Sequence, residues 1–421
     1  MSHALSKTGV VIVGGGHGGF QAATSLRQQG YAAPVTLIGE EPRHPYQRPP
    51  LSKGMLLGKQ QARHATLRPP SFYDKHEITL IVGERIVSIV RPGQRVIGAS
   101  GREVPYDKLI LATGARNRPL PVEGADLEGV CYLRTVEEAE ALDQYIEAAE
   151  NIVVIGGGFI GLEAAAAARA RERNVMVLEA RPRLMERAVA PQISQYFLER
   201  HRAAGVQVLL ESSAERLEGE SGKVRTVVTH NGERIPADLV LIGIGVIPNT
   251  ELAAEAGLRV ENGIVVNEYL ETEDPHIYSL GDCTAFPNPF AATADEPMPL
   301  IRLESVQNAV DQGSTVARTI TGDRQPYREA PWFWTTQFDV NLQMVGISAG
   351  ATETVIRGNP ESGKFSLFYF SSHTGPKGTL RAVDSINQPA VHLTARKLIA
   401  SGAALTPEQA SDEGFDLKSV L

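Results

Sequence analysis

Apolar residues along this chain fall into two rhythms. In the first, four or more consecutive apolar positions stop at or near glycine: VVIV at 10–13, LILA at 109–112, IVVI at 152–155 and LVLI at 239–242. Runs of that length with glycine stops read as strands buried on both faces of a parallel sheet. Helical periodicity lies between them. One such stretch runs to about Glu150 and is opened by Thr135-Val-Glu-Glu138 as a capping box; another runs from Glu304 through SVQNAVDQGSTVART. In the second rhythm apolar and polar residues alternate. Residues 78–104 do so between turns at Arg91-Pro-Gly and Ala99-Ser-Gly, which predicts a small antiparallel meander inserted in the first unit. The tail from Tyr327 alternates again, with strands expected at 342–347, 365–370 and 380–383 and a last helix near 391–401. Short strands are also expected over 257–273, and the run at 277–281 ends in the acid Asp282.

The glycines after two of the buried runs carry chemistry. Gly14, Gly16 and Gly19 have the spacing G-x-G-x-x-G directly after a strand and before a helix, and Glu40 closes the next strand. Gly14 permits the tight turn, Gly16 lets a pyrophosphate approach the backbone, and Gly19 lets helix and strand pack closely. The phosphate rests on the positive end of the helix, and the acid accepts hydrogen bonds from ribose hydroxyls. The unit then repeats, with Gly156, Gly158, Gly161 and the acid Glu179. Two complete copies predict two bound dinucleotides. The expected fold is therefore α/β: two Rossmann-like dinucleotide-binding domains, 1–115 with 249–325 and 116–248, plus a smaller α+β C-terminal domain at 326–421. The proline-rich stretch 116–121 is the candidate crossing between the first two.

A carboxylate at Glu179 repels a 2′-phosphate and so favours NADH over NADPH; Arg181, Arg183 and Arg187 follow it and leave a phosphate contact open. Residues 41–53 hold four prolines, which predicts a stiff, non-helical loop carrying the cations Arg48 and Lys53 beside the first site. Both tryptophans of the chain lie in Trp332-Phe-Trp334, where core packing and a role at the site both remain open.

Composition narrows the classes. At 421 residues, two to three domains are expected, and 42% hydrophobic with 21% charged residues describes a globular chain. Two cysteines leave no disulfide framework and no C-x-x-C metal pair, which points to a reducing, cytoplasmic setting. The N-terminal apolar run is short and starts the glycine motif, so it does not read as a secretory signal. No run approaches the ~20 apolar residues of a membrane span. A net charge of −8 without a basic block excludes a nucleic-acid footprint.

Taken together the chain resembles the two-dinucleotide flavoprotein reductases of the glutathione-reductase superfamily. Within it the chain is most similar to the NADH-dependent ferredoxin reductases that serve cytochrome P450s and aromatic-ring oxygenases. The resemblance rests on residues 13–19, RPPLSK at 48–53, LATG at 111–114, 154–163, GDC at 281–283, RLESVQN at 302–308 and PWFW at 331–334. It implies FAD on the first glycine turn, His17 and Gly18 included, with Glu40 on the adenosine ribose and Asp282 on the ribityl chain. Arg48, Ala112, Thr113, Gly114 and Arg134 are implied as further FAD contacts, and the amide of Val306 as a partner of the flavin pyrimidine edge. NADH falls to Gly156, Gly158, Ile160, Gly161, Glu179, Arg187 and Gly245. The resemblance also implies that Lys53 lies near flavin N5 with Glu163 as its ionic partner, and that Trp334 stands between flavin and acceptor.

Disulfide reductases of the superfamily carry a C-x-x-x-x-C pair near the flavin, and residues 46–53 hold no cysteine. Electrons are therefore expected to leave through the flavin edge. The implied acceptor is an acidic [2Fe–2S] ferredoxin that supplies a cytochrome P450 or oxygenase. It would dock on a basic patch for which Arg68, Arg318 and Lys397 are candidates, with the protein a monomer or weak dimer. An NADH oxidase and a redox-controlled binding flavoprotein of the apoptosis-inducing-factor kind are the alternatives.

Overall fold

The computed structural model describes residues 8–293, 295–371 and 378–421. Two parallel five-stranded sheets form its centre. The first has the order Ile277–Ser279, Lys108–Leu111, Val10–Val13, Val35–Ile38, Ile78–Ile81. The second runs Gln207–Leu209, Asn174–Leu178, Asn151–Ile155, Leu239–Ile242, Val130–Cys131. The strands Val10–Val13 and Leu239–Ile242 are buried at every position, as continuous apolar runs between helix layers require. An antiparallel pair, Ala115–Asn117 with Val246–Pro248, links the two units and includes the start of the predicted crossing.

Three expectations need correction. Residues 78–81 do not belong to the meander; Ile78–Ile81 pairs in parallel with Val35–Ile38 and covers what would be an open sheet edge. The meander begins after Gly83 and consists of Ile86–Val90, Arg95–Gly98 and Glu103–Pro105. The proline loop is not wholly extended either: Pro49–Ser52 closes a 3₁₀ turn. Prolines are tolerated there because the first turn leaves its N–H groups unpaired in any case. Over 257–273 the chain forms one two-residue strand, Ile264–Val265, and isolated bridges. A second antiparallel sheet, Ala214–Glu220, Lys223–Thr229 and Arg234–Pro236, was not anticipated.

The tail forms its own five-stranded antiparallel sheet in the order Trp332–Gln337, Val340–Gly346, Thr379–Ile386, Lys364–Ser371, Glu353–Asn359. The helix Pro389–Ser401 packs on it through Ala395, Leu398 and Ile399. Helix Val13's turn leads into, His17–Gln28, lies against helix Val306–Thr321. A Cβ at Gly313 would stand 2.7 Å from the carbonyl oxygen of Gly18, so only glycine allows this crossing. Ser305 caps the second helix by accepting from Asn308 N at 3.2 Å. Both helices thereby aim their N-termini into one cavity.

Candidate active site

A cavity of about 1850 Å³ runs between the two parallel sheets and the C-terminal sheet. Its first end is the turn Gly14 to Gly18. Gly14 has φ +122°, and a Cβ there would lie 2.0 Å from Ala112 O; Gly156 repeats both features at φ +111° and 2.4 Å from Gly243 O. At Gly16 a Cβ would point into open space, with nothing within 4 Å, so this position is where a phosphate can reach the backbone. Gly19 packs against Gly14 and does not face the cavity. Glu40 stands at the rim, exposed and only loosely paired with Arg85 at 3.8 Å.

Cations line the middle of the cavity. Arg48 pairs with Glu41 at 2.6 Å and donates to the carbonyl of Arg134. Arg134 in turn pairs with Asp282 at 2.8 Å, and its Nε is buried without a partner among the described residues. His17 lies among them. Burial first, then the charge of Arg48, pushes its pKa down to about 4, so it enters the site as a neutral ring. Ala112, Thr113 and Gly114 form the opposite wall, where Thr113 Oγ1 is held by Asn249 O at 2.7 Å.

At the far end Lys53, Glu163 and Trp334 come together. Lys53 Nζ is 2.8 Å from the Glu163 carboxylate, which is 3% exposed and projects from helix Phe159–Ala170. Ser52 and Thr335 also donate to that carboxylate, the latter at 2.6 Å. Trp334 rests on Trp332, ring centres 5.4 Å apart, and Phe333 on Phe159 at 4.7 Å. Trp334, Lys53, Val306 and His17 also line a second cavity of about 420 Å³, so they form the wall between the two.

The second glycine turn lies beside this end. Ile160 and Arg187 reach the cavity, whereas Gly156, Gly158, Gly161, Glu179 and Gly245 stand outside it around the turn. Glu179 accepts from Gly157 N at 2.7 Å and from Arg181 N at 2.8 Å. Of the three arginines after it, Arg183 is committed to Val189 O, Ser194 Oγ and Glu186 O. Arg181 stays exposed, and Arg187 lies 3.7 Å from where a Cβ on Gly245 would be.

Neither cysteine lines the cavity. Cys283 is buried and donates to Leu280 O, and burial pushes the Cys131 thiol up to about 11. Sequence reasoning missed Ser52 and Thr335. Ser52 adjoins Lys53 and was within reach of inference; Thr335 lies 172 residues from Glu163 and carried no signal.

Two glycine turns on parallel sheets, a cavity that starts at the first and ends beside the second, and an ion pair at that end define a flavoprotein oxidoreductase that binds two dinucleotides, FAD and NAD(H). The chain belongs to the pyridine nucleotide-disulphide oxidoreductase family, whose model matches residues 8–313, and a reductase C-terminal domain matches 332–421. Rhodocoxin reductase from Rhodococcus erythropolis is 49% identical over 413 residues, spanning 98% of this chain and 94% of the relative. The crystal structure of the ferredoxin reductase for the CYP199A2 system from Rhodopseudomonas palustris superposes with a TM-score of 0.93. It is 45% identical and covers 97% of this chain and 98% of its own. The putidaredoxin reductase of a covalent complex with putidaredoxin also gives 0.93, at 38% identity over 99% and 98% of the two chains.

Proposed function

We propose that this protein passes electrons from NADH through FAD to a [2Fe–2S] ferredoxin that supplies a cytochrome P450 or a ring-hydroxylating oxygenase. The observation that carries the reading is the Lys53–Glu163 pair, a part-exposed ammonium on a buried carboxylate at the junction of both nucleotide sites, beside Trp334 and away from either cysteine. Without a redox-active cysteine pair at the site, electrons leave by the flavin edge.

The residues present fit FAD. The Gly14–Gly18 turn, the open face at Gly16 and the unpartnered Arg134 Nε suit a pyrophosphate, and Glu40 suits a ribose. Asp282 serves the ribityl chain, and the helix N-terminus at Val306 serves the pyrimidine edge, where positive backbone dipoles favour negative charge. When bound, FAD supplies the chemistry of accepting a hydride and releasing electrons singly. This chain's contribution is alignment: Lys53 and Glu163 fix the junction, and Ile160 and Arg187 line the nicotinamide side. Glu179 selects NADH.

The lack, among the described residues, of a helix long and apolar enough to cross a membrane supports a cytoplasmic setting, as do the two unpaired cysteines. We take the protein to act as a monomer or weak dimer. Purified protein should be yellow and release FAD on acid precipitation. NADH-dependent cytochrome c reduction should rise manyfold on adding a [2Fe–2S] ferredoxin. NADH consumption that tracks oxygen and ignores every such ferredoxin would overturn the reading in favour of an oxidase.

A further inference from the structure

Behind the Lys53–Glu163 pair a line of buried polar side chains leads away from the cavity. Thr335 Oγ1 lies 2.6 Å from Glu163 Oε1, Gln337 Nε2 lies 3.3 Å from Thr335 Oγ1, and His201 Nε2 lies 2.9 Å from Gln337 Oε1. Thr335 and His201 are 0% exposed and Gln337 is 1% exposed. The line crosses the fold: Glu163 belongs to the helix of the second glycine turn, Thr335 and Gln337 to the first strand of the C-terminal sheet, and His201 to helix Pro191–Ala203.

The direction of every bond follows from one end. A carboxylate paired with Lys53 only accepts, so Thr335 must donate its single proton to Glu163. The Thr335 oxygen is then free only to accept, which turns the Gln337 amide so that Nε2 faces it. The second Gln337 N–H points at Met185 Sδ at 3.9 Å. Gln337 Oε1 in turn accepts from His201, which must carry its proton on Nε2. His201 Nδ1 is left buried with no partner among the described residues. Burial lowers the pKa of His201, so the ring is neutral; Gln337 is its hydrogen-bond partner, and the Phe338 ring packs edge-on against it with centres 5.0 Å apart. All three donors therefore point the same way, toward Glu163, and chains aligned like this polarise one another.

We propose that Thr335, Gln337 and His201 are positioning residues for the NADH-to-flavin step: a one-directional hydrogen-bond chain that holds the Glu163 carboxylate, and through it Lys53, in reactive register. This rests on the reading that flavin and nicotinamide meet at Lys53 and Glu163. It makes the C-terminal sheet part of the donor side of the enzyme as well as its acceptor side.

The test uses the FAD-loaded protein. In oxidised protein with ¹⁵N-labelled histidine and no NADH present, the His201 ring should give the neutral Nε2–H pattern. An Nδ1–H pattern would overturn the chain directly. In stopped-flow reduction by NADH, Thr335→Val, which keeps shape and loses the hydroxyl, should lower the limiting rate about tenfold with little change in half-saturating NADH. Thr335→Ser should recover the wild-type rate, and both should retain FAD. A Thr335→Val rate equal to wild type, or a Thr335→Ser rate as low as that of Thr335→Val, would overturn the proposal. Lys53→Met run alongside separates the two readings. If it is slow while Thr335→Val is not, the chain is wrong and the site stands; if Lys53→Met is itself unchanged, the site assignment has failed.

Discussion

Lys53 reaches Glu163 across a boundary between folding units, with its ammonium 2.8 Å from a carboxylate that is itself almost wholly buried. The lysine comes from the 3₁₀ turn region of the first unit and the glutamate from helix Phe159–Ala170, which follows the second unit's glycine turn. Removing the cation leaves the carboxylate, among the described residues, with the hydroxyls of Ser52 and Thr335. Leaving a buried carboxylate without its cation costs up to about 3 kcal/mol, and less here because Lys53 is itself part-exposed. Lys53→Met should therefore lower the melting temperature and slow flavin reduction about tenfold while FAD stays bound, since the pyrophosphate and ribose contacts lie elsewhere. Stopped-flow traces and a thermal melt check both halves.

The proposed role of Glu179 in choosing the nicotinamide cofactor has a direct test. Its carboxylate is held at the glycine turn by Gly157 N and Arg181 N, and an acid closing such a unit repels a 2′-phosphate. Glu179→Ala should reduce the ratio of kcat/KM for NADH over NADPH by about tenfold, chiefly by improving NADPH. Glu179→Gln, which keeps an acceptor for the backbone, should narrow the ratio with less loss of NADH activity. A wild-type preference for NADPH would assign the phosphate contact to Arg181 or Arg187.

Salt dependence reports on the acceptor. Arg68 and Lys397 are exposed, and Arg318 is half-buried and donates to Thr315. With a net charge of −8, an acidic ferredoxin is repelled unless the docking face is locally basic. Exposed charges are screened beyond a Debye length of about 8 Å at physiological ionic strength. Ferredoxin-dependent cytochrome c reduction should lose apparent affinity as salt rises, and Lys397→Glu should weaken it further. Indifference to salt would mean an apolar docking face.

Asp384 predicts a pH effect on stability. It is fully buried at the cavity wall, accepts from Tyr369, and burial pushes its pKa up to about 7. Between its ordinary value of 3.8 and about 7, the folded protein holds a proton that the unfolded chain has released. Stability therefore falls as pH rises through that window and levels off above it. Asp384→Asn, which cannot ionise, should melt higher relative to wild type at pH 8 than at pH 5. An equal difference at both pH values would show that Asp384 does not titrate there.

Both glycine turns and their closing acids were legible because strand, turn, helix and acid lie within about thirty contiguous residues, and each position has its own steric or electrostatic reason. The capping box at Thr135 was legible on the same grounds, and Glu138 indeed accepts from Thr135 N at 2.9 Å. What was lost depended on partners far along the chain. Nothing local tells Ile78–Ile81 from the meander after it, because parallel pairing with Val35–Ile38 is decided by the sheet's open edge. The strand Glu353–Asn359 was missed because it is an edge strand with no fully buried position and little alternation. Thr335 is an ordinary β-branched residue until the fold brings it to Glu163.

The contact between Gly18 and Gly313 has a consequence for ligand length. It fixes the helix that begins at His17 to the helix that begins at Val306, so the distance between their two N-termini is set by the protein. Such a frame acts as a gauge. A cofactor that ends at its first phosphate, as FMN does, would leave Glu40 and the outer part of the glycine turn without a partner. The frame cannot contract to compensate, so selection against the shorter flavin needs no clash, only a span that does not shrink.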